Sequence, residues 1–326
     1  MLDISRLAVM AALLGVALSC LFHTPAQAQS EAIPAWLQKH VGTGDGQIAP
    51  VVLERARALY AQKRASGEVR NPCYLAKDAT RPSTTSSGQP GRRFYIICEG
   101  RRSFRAVSSG YGNGRKLQAA NFSNGRQCAK NFSNAEGSKL TTGGSYVTAE
   151  SRTSFKGYYS KSGQSVPFYR TFLLFDGEGD TSNARERAIG GHRAMFLKWQ
   201  CRLRKPDSPH ADAEGYVPYG RLVDYTSGRS NGCTTWSADA TQEILKLTEG
   251  NPTTLYIYPE SGDISAVANT VRAGASIARA GLYWNEACLK AIGAPKFWPK
   301  RKLQPVINRW RKSLPKREPL VLPVCK

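Results

Sequence analysis

The chain has 326 residues, of which 41% are hydrophobic and 21% charged. That length and composition suit one large or two ordinary globular domains, and they exclude a collagen-like, disordered or multi-span membrane chain. Two counts stand out: Lys and Arg exceed Asp and Glu by 46 to 24, for a formal net charge of +22, and there are eight cysteines, at 20, 73, 98, 128, 201, 233, 288 and 325.

Leu7 to Phe22 is apolar and uncharged, with Arg6 before it and Ala26-Gln27-Ala28 after it. A short apolar core ending in Ala-x-Ala predicts a cleaved secretory signal over residues 1–28, and hence a periplasmic protein. The stretch falls short of the about 20 residues of a membrane-spanning helix. An uncleaved anchor and a lipid-modified Cys20 are the alternatives, and Ala17-Leu18-Ser19 is a poor approach to lipid modification. Cleavage removes Asp3 with Arg6, so the charge stays at +22, and it removes Cys20, so seven cysteines remain. In an oxidising compartment an odd number leaves one cysteine over, either as a reactive thiol or as an intermolecular link.

Residues 30–70 read as helical: Val52, Leu53, Ala56, Leu59 and Tyr60 recur at helical spacing, and Asn71-Pro72 ends the run. Residues 79–93 are a Ser/Thr/Gly/Pro loop. Short strands are predicted at Phe94–Cys98, Ser103–Ser109, Ser145–Arg152, Thr171–Asp176 and Arg187–Gly190. A helix is predicted from an N-cap at Ser237 to a C-cap at Gly250, a strand at Thr253–Tyr258, and further helix from 263 to Leu289. From Lys296 to Arg317 there are nine Lys/Arg and no acid, with Trp298 and Trp310 between them. A β-rich middle with helices at both ends is an α+β chain, and it favours a sandwich or barrel-like core over a doubly wound sheet. No P-loop, dinucleotide fingerprint, H-E-x-x-H or C-x-x-C is present, and neither a cofactor nor a metal is expected.

The sharpest local feature is Ser227-Gly228-Arg229-Ser230-Asn231-Gly232-Cys233, just before the predicted Ser237 helix. Small neighbours let a carbonyl approach a cysteine nucleophile. Backbone N–H groups at Gly232 and Cys233, the helix start and Arg229 would stabilise a thiolate and an oxyanion. A cysteine nucleophile needs a base, and three histidines follow the signal: His40, His192 and His210. His40, beside Trp36, reads as a packing residue. His192 ends a Gly-flanked strand and can face a cleft. His210, in a polar loop, is the second choice, and the absence of a catalytic histidine is the third.

Several ordered segments resemble the murein L,D-transpeptidase catalytic-domain family, within the wider YkuD-like cysteine transpeptidases. Gly228–Cys233 matches its Gly-Arg-Ser-x-Gly-Cys motif, and Ala184–His192 its Ala-Arg-x-Arg-Ala-Ile-x-x-His segment. Phe132-Ser133-Asn134 with Gly137-Ser138, Gly143 with Tyr146 and Thr148, and Arg93–Ile97 are also similar, so the resemblance runs from about residue 49 to 258. It implies a YkuD-like core at 93–262, preceded by a helical segment and loop at 29–92 and followed by a helical, basic extension at 263–326. It implies that Cys233 attacks the amide after the L-centre of meso-diaminopimelate in a peptidoglycan tetrapeptide stem, with His192 as base. D-Ala then leaves, and an acceptor amine forms a 3→3 crosslink. Gly232, Ser230, Arg229, Asn231, Gly191 and Ser109 are the expected oxyanion and substrate contacts. Three departures stand against it. Ser109 occupies a position that is His in the family, Thr234-Thr235 follow the cysteine, and 41 residues separate His192 from Cys233, about twice the implied distance. A hydrolase on the same stems and a catalytically silent wall-binding protein remain the alternatives. With Cys233 free, the expected pairs are Cys73–Cys98, Cys128–Cys201 and Cys288–Cys325. Peptidoglycan stems are the expected partner. An anionic wall or membrane surface is expected for the basic tail, and nucleic acid is not.

Overall fold

The computed structural model describes residues 32–315 and 321–326; the expected signal at 1–28 lies outside them. In chain order the elements are α1 (Ala35–Gln38), α2 (Pro50–Ala65), β1 (Tyr74–Asp78), β2 (Arg92–Cys98), β3 (Ser103–Ser108), β4 (Tyr111–Gly112), β5 (Asn131–Ser133), β6 (Gly144–Lys161) and β7 (Gln164–Gly177). There follow β8 (Gly190–Arg193), β9 (Met195–Arg204), β10 (Tyr216–Asp224), β11 (Arg229–Ser230), β12 (Thr234–Trp236), α3 (Ala238–Thr248), β13 (Thr254–Tyr258), α4 (Ser261–Arg272), α5 (Glu286–Ile292), β14 (Lys296–Trp298) and α6 (Lys300–Ser313).

The molecule is α+β and β-rich. One large mixed sheet runs β12-β8-β7-β6-β13-β1-β2-β3. β1 runs parallel to β13 and β12 parallel to β8, while the other neighbours in that order are antiparallel. The sheets are open, so the expected barrel-like closure is not found among the described residues. Side chains alternate between faces with period two. Leu75, Phe94, Ile96, Leu255 and Ile257 point to one face, where Trp236, Ile244, Val267 and Trp284 cover them. Tyr74, Ala76, Tyr95, Ile97, Tyr256 and Tyr258 point to the other and meet Val52, Leu53, Ala56 and Leu59 of α2. Both faces of β1, β2 and β13 are therefore covered, which is why β1 is buried at every position. Burying an aliphatic or aromatic side chain contributes about 1.5–3 kcal/mol, so this two-sided core is the main source of stability.

Four expectations need correction. The residues between His192 and Cys233, for which no strand was expected beyond His192, contain an antiparallel ribbon, β9–β10. It joins the far end of the long β6–β7 hairpin through Tyr219 and Tyr158. Phe168, Met195 and Leu197 form its own small core. The strand expected at 187–190 begins instead at Gly190, because Arg187 and Ala188 close turns onto Asn183 and Arg185. β1 was not anticipated, and α6 lies in the extension expected to be helical, although no separate helix was read beyond Leu289. The disulfides are Cys73–Cys98, as expected, with Cys128–Cys288 and Cys201–Cys325. The last two exchange the expected partners. Arg202 and Val324 pair as a short bridge beside β9, which brings Cys325 to Cys201. Cys233 is the free thiol. No helix among the described residues is long and apolar enough to cross a membrane.

Candidate active site

Cys233 sits at the end of a tight turn. β11 lies parallel to β4, fixing the start of the turn. Gly232 closes it at φ +111°, a conformation that favours glycine. Ser230 is buried and staples the turn: its hydroxyl accepts the Gly232 N–H at 3.2 Å and donates to the Cys233 carbonyl at 2.5 Å. The Gly232 N–H is therefore already engaged. Asn231 is exposed at the tip, beside the thiol. The cysteine does not open the following helix. β12 and Ser237 intervene before α3 begins, and a helix dipole acts only within its first turn. The positive field at the thiol has another source.

That source is two guanidiniums, Arg170 and Arg187, with the Lys77 amine, whose pKa burial and then Arg93 push well below the usual lysine value, behind the turn. The half-buried thiol faces the Ala188 carbonyl, with Sγ 3.7 Å from the oxygen, and receives the Gly190 N–H. Burial pushes its pKa above the usual thiol value, while the Gly190 amide, Arg170, Arg187 and Lys77 pull the other way. Ala188 holds φ +50°, a left-handed conformation that is unfavourable for a residue with a Cβ, and it aims its carbonyl at the sulfur. Arg187 donates to Leu140 O at 2.7 Å and to Thr142 Oγ1, tying the 138–142 loop to the turn. That loop is backed in turn by α6, whose Leu303 and Ile307 pack on Phe122, Ala135 and Leu140. The C-terminal extension thus buttresses the site.

His192 lies on β8, nearly buried. Thr235 of β12 is its register partner, and Cys233 stands two residues earlier in the chain. No hydrogen bond joins imidazole and thiol. His192 Nδ1–H donates to Arg193 O at 2.8 Å, which leaves Nε2 as the acceptor. Arg170 Nη2 is 2.8 Å from Nδ1 and 2.7 Å from Nε2. Being equidistant from both nitrogens, it points at neither lone pair. Burial and then Arg170 push the His192 pKa down to about 4, with the Arg193 carbonyl opposing. At neutral pH the resting pair is therefore a neutral imidazole and a neutral thiol.

The remaining expected site residues divide. Arg229 donates to Asn124 O at 2.5 Å and lines a groove of about 460 Å³ with Asn113, Tyr225, Ser227 and Gln127. Gly191 is a packing residue: a Cβ there would sit 1.9 Å from the Trp236 ring. Ser109 is fully buried, with its carbonyl taking the Arg93 Nε–H at 2.6 Å, and it presents no group to the thiol. His210, between β9 and β10, stacks on Phe155 of β6 and hydrogen-bonds with Tyr169 of β7, and His40 stacks on Phe104 as expected of a packing residue. The sequence reading missed Arg170 and Lys77 altogether. Arg187 stood inside a recognised segment, and its spacing from His192 was the available signal. Among the described residues no cluster of three or more His, Cys, Asp or Glu side chains is arranged to hold a metal. No family model, curated protein or solved structure matches the chain.

Proposed function

We propose that this is an exported cysteine L,D-transpeptidase with a YkuD-like core, acting on peptidoglycan tetrapeptide stems. The observation that carries the reading is the environment of one thiol. Of the cysteines left after signal removal, only Cys233 is unpaired among the described residues, and it sits on a stapled Gly-rich turn near two guanidiniums and the Lys77 amine, beside the strand of a neutral, oriented imidazole. In this reading His192 Nε2 takes the thiol proton and the thiolate forms an acyl-thioester with the stem. The departing D-Ala amine receives the proton. An acceptor amine then attacks the thioester, regenerating the thiol and completing the crosslink. Arg170 must leave the imidazole ring before Nε2 can act, and a substrate carboxylate is the natural partner for a guanidinium that has no acid of its own.

A carbapenem or a thiol alkylator should add to Cys233 of the oxidised protein, giving a mass shift that is lost in Cys233→Ala. Absence of the adduct would overturn the reading. Muropeptide analysis after incubation with sacculi should show 3→3 dimers; trimmed tripeptide stems alone would identify a hydrolase. Arg170 across the His192 ring favours one further reading, a silent wall-binding protein of the same fold, for which neither adduct nor product would form.

A further inference from the structure

Lys77 is the fourth residue of β1 and has no exposed surface. It shares a sheet face with Leu75, on the side of the core that holds Trp236. Its ammonium has two acceptors, Gly110 O at 2.6 Å and Thr234 Oγ1 at 3.2 Å. Neither is an anion. Of the other buried cations, Lys63 bridges Glu68 and Glu178 and Arg81 pairs with Asp78; Arg93 likewise meets no anion, but its guanidinium has three acceptors and the Tyr111 ring. Asp78, next to Lys77, faces the opposite side, where Arg81, Thr80 and Tyr283 consume its oxygens. A buried ammonium without an anion is costly, and an apolar side chain of similar length would fill the same place more stably.

One of these acceptors adjoins the nucleophile. Thr234, which accepts from Lys77, is bonded directly to Cys233. Gly110, the other acceptor, donates its N–H to Thr235 O at 3.1 Å, so one small hydrogen-bonded unit holds both the ammonium and the strand that follows the thiol. We propose that Lys77 is a positioning residue for Cys233: held behind the turn by Gly110 and Thr234, it is the internal counter-charge that supports the thiolate. The inference rests on the reading of Cys233 as the nucleophile. Burial opposes the charged form of the amine and of the thiol taken singly, while each charged form favours the other. Ammonium and thiolate are therefore expected to appear together, as a coupled pair with shared midpoints. The other titratable or charged groups around the thiol are Arg170 from β7, Arg187 before β8, His192 on β8, Tyr225 after β10 and Tyr146 on β6. Arg93 on β2 faces Lys77. Arg170 and Arg187 reach the thiol from the β7–β8 side, so Lys77 is the cation that approaches it from β1.

The test is the pH profile of Cys233 alkylation by iodoacetamide in the oxidised protein, which needs no wall substrate. Lys77→Met removes the charge and fills the strand position. Lys77→Gln removes the charge but keeps a donor for Gly110 O, so one of the two is expected to fold even if the other does not. In either, the alkylation midpoint should rise by about one pH unit, with about a tenfold slower reaction below it. Lys205→Met, on the ribbon over Tyr158, should leave the profile where it is. An unchanged midpoint in a folded Lys77 variant overturns the proposal. A shifted midpoint in a protein that makes no crosslinks would leave Lys77 in place and sink the transpeptidase reading instead.

Discussion

His192 shows how one buried side chain ties acidity to folding. Unfolded, the imidazole titrates near 6.5; folded, burial and Arg170 hold it at about 4. Above pH 6.5 both states are neutral at this site and its contribution to stability is complete. As the pH falls towards 4 the unfolded chain binds a proton that the folded one refuses, so unfolding is favoured by up to about 3 kcal/mol. The denaturant midpoint should therefore drop between pH 7 and 4, and His192→Asn should lack that part of the drop. Its amide can still donate to Arg193 O, and the carboxylates contribute equally to both proteins. Parallel curves for the two would show that the imidazole is not shielded. The thiol does not enter this window, since its raised pKa keeps it protonated throughout.

At the scale of elements, the site depends on how closely β8 and β12 pack. Trp236 is fully buried, and its ring lies against the bare backbone of Gly191, on the strand that carries His192. Gly191→Ala forces the ring or the strand to move, and overpacking of this kind costs about 1–3 kcal/mol. The expected result is a lower melting temperature with altered tryptophan fluorescence and slower Cys233 alkylation. An unperturbed melt would mean the sheet can absorb the methyl. This scale also shows what the residues revealed in advance. α2 was legible because its apolar residues recur at helical spacing, and β2 and β13 because they are short, unbroken runs of apolar and β-favouring residues, as strands covered on both faces are. The Gly228–Cys233 turn was legible because its chemistry is local. β1 was hidden by Lys77, a charge at a fully buried position. α6 was hidden by Pro305 within it and by its density of cations. β9 keeps a period of two in its residues, with Met195, Leu197, Trp199, Cys201 and Leu203 alternating with Lys198, Gln200, Arg202 and Arg204, but beyond Leu197 its burial no longer follows, and Trp199 and Gln200 are both exposed as the ribbon leaves the core. Arg170 could not have been found by any local rule, since β7–β8 pairing alone brings it to His192.

For the whole molecule the charge of +22 is the dominant fact. Trp298, at the end of β14, and Trp310, on α6, do not form an open stacking surface. Trp298 packs on Phe122 and donates to Asn131, and Trp310 meets Arg115. Lys300 and Arg311 are spent on Glu186 and Glu136. Arg301, Lys302, Arg309 and Lys312 remain as an exposed basic face on a well-anchored helix. If that face holds the protein to an anionic wall, replacing the four by Gln should lower the salt concentration that elutes it from purified sacculi, because exposed charge attraction is screened. Elution at the same salt would assign retention to the rest of the surface.

The two long disulfides overlap along the chain: 128 joins 288, while 201 joins 325. Every peptide bond from 128 to 325 is thus spanned by at least one sulfur bridge. An endoprotease that cuts once anywhere in that stretch opens the backbone but sheds nothing. The stretch includes the whole β9–β10 ribbon, the part of the chain that separates His192 from Cys233 and carries much of the exposed surface beside them. A nick there leaves both residues in one covalent molecule, held by one bridge before Cys201 and by two after it, and by the sheet. In the exported setting proposed above, where peptidases are common and no synthesis replaces a damaged copy in place, such a chain would survive by being tied rather than by being uncut.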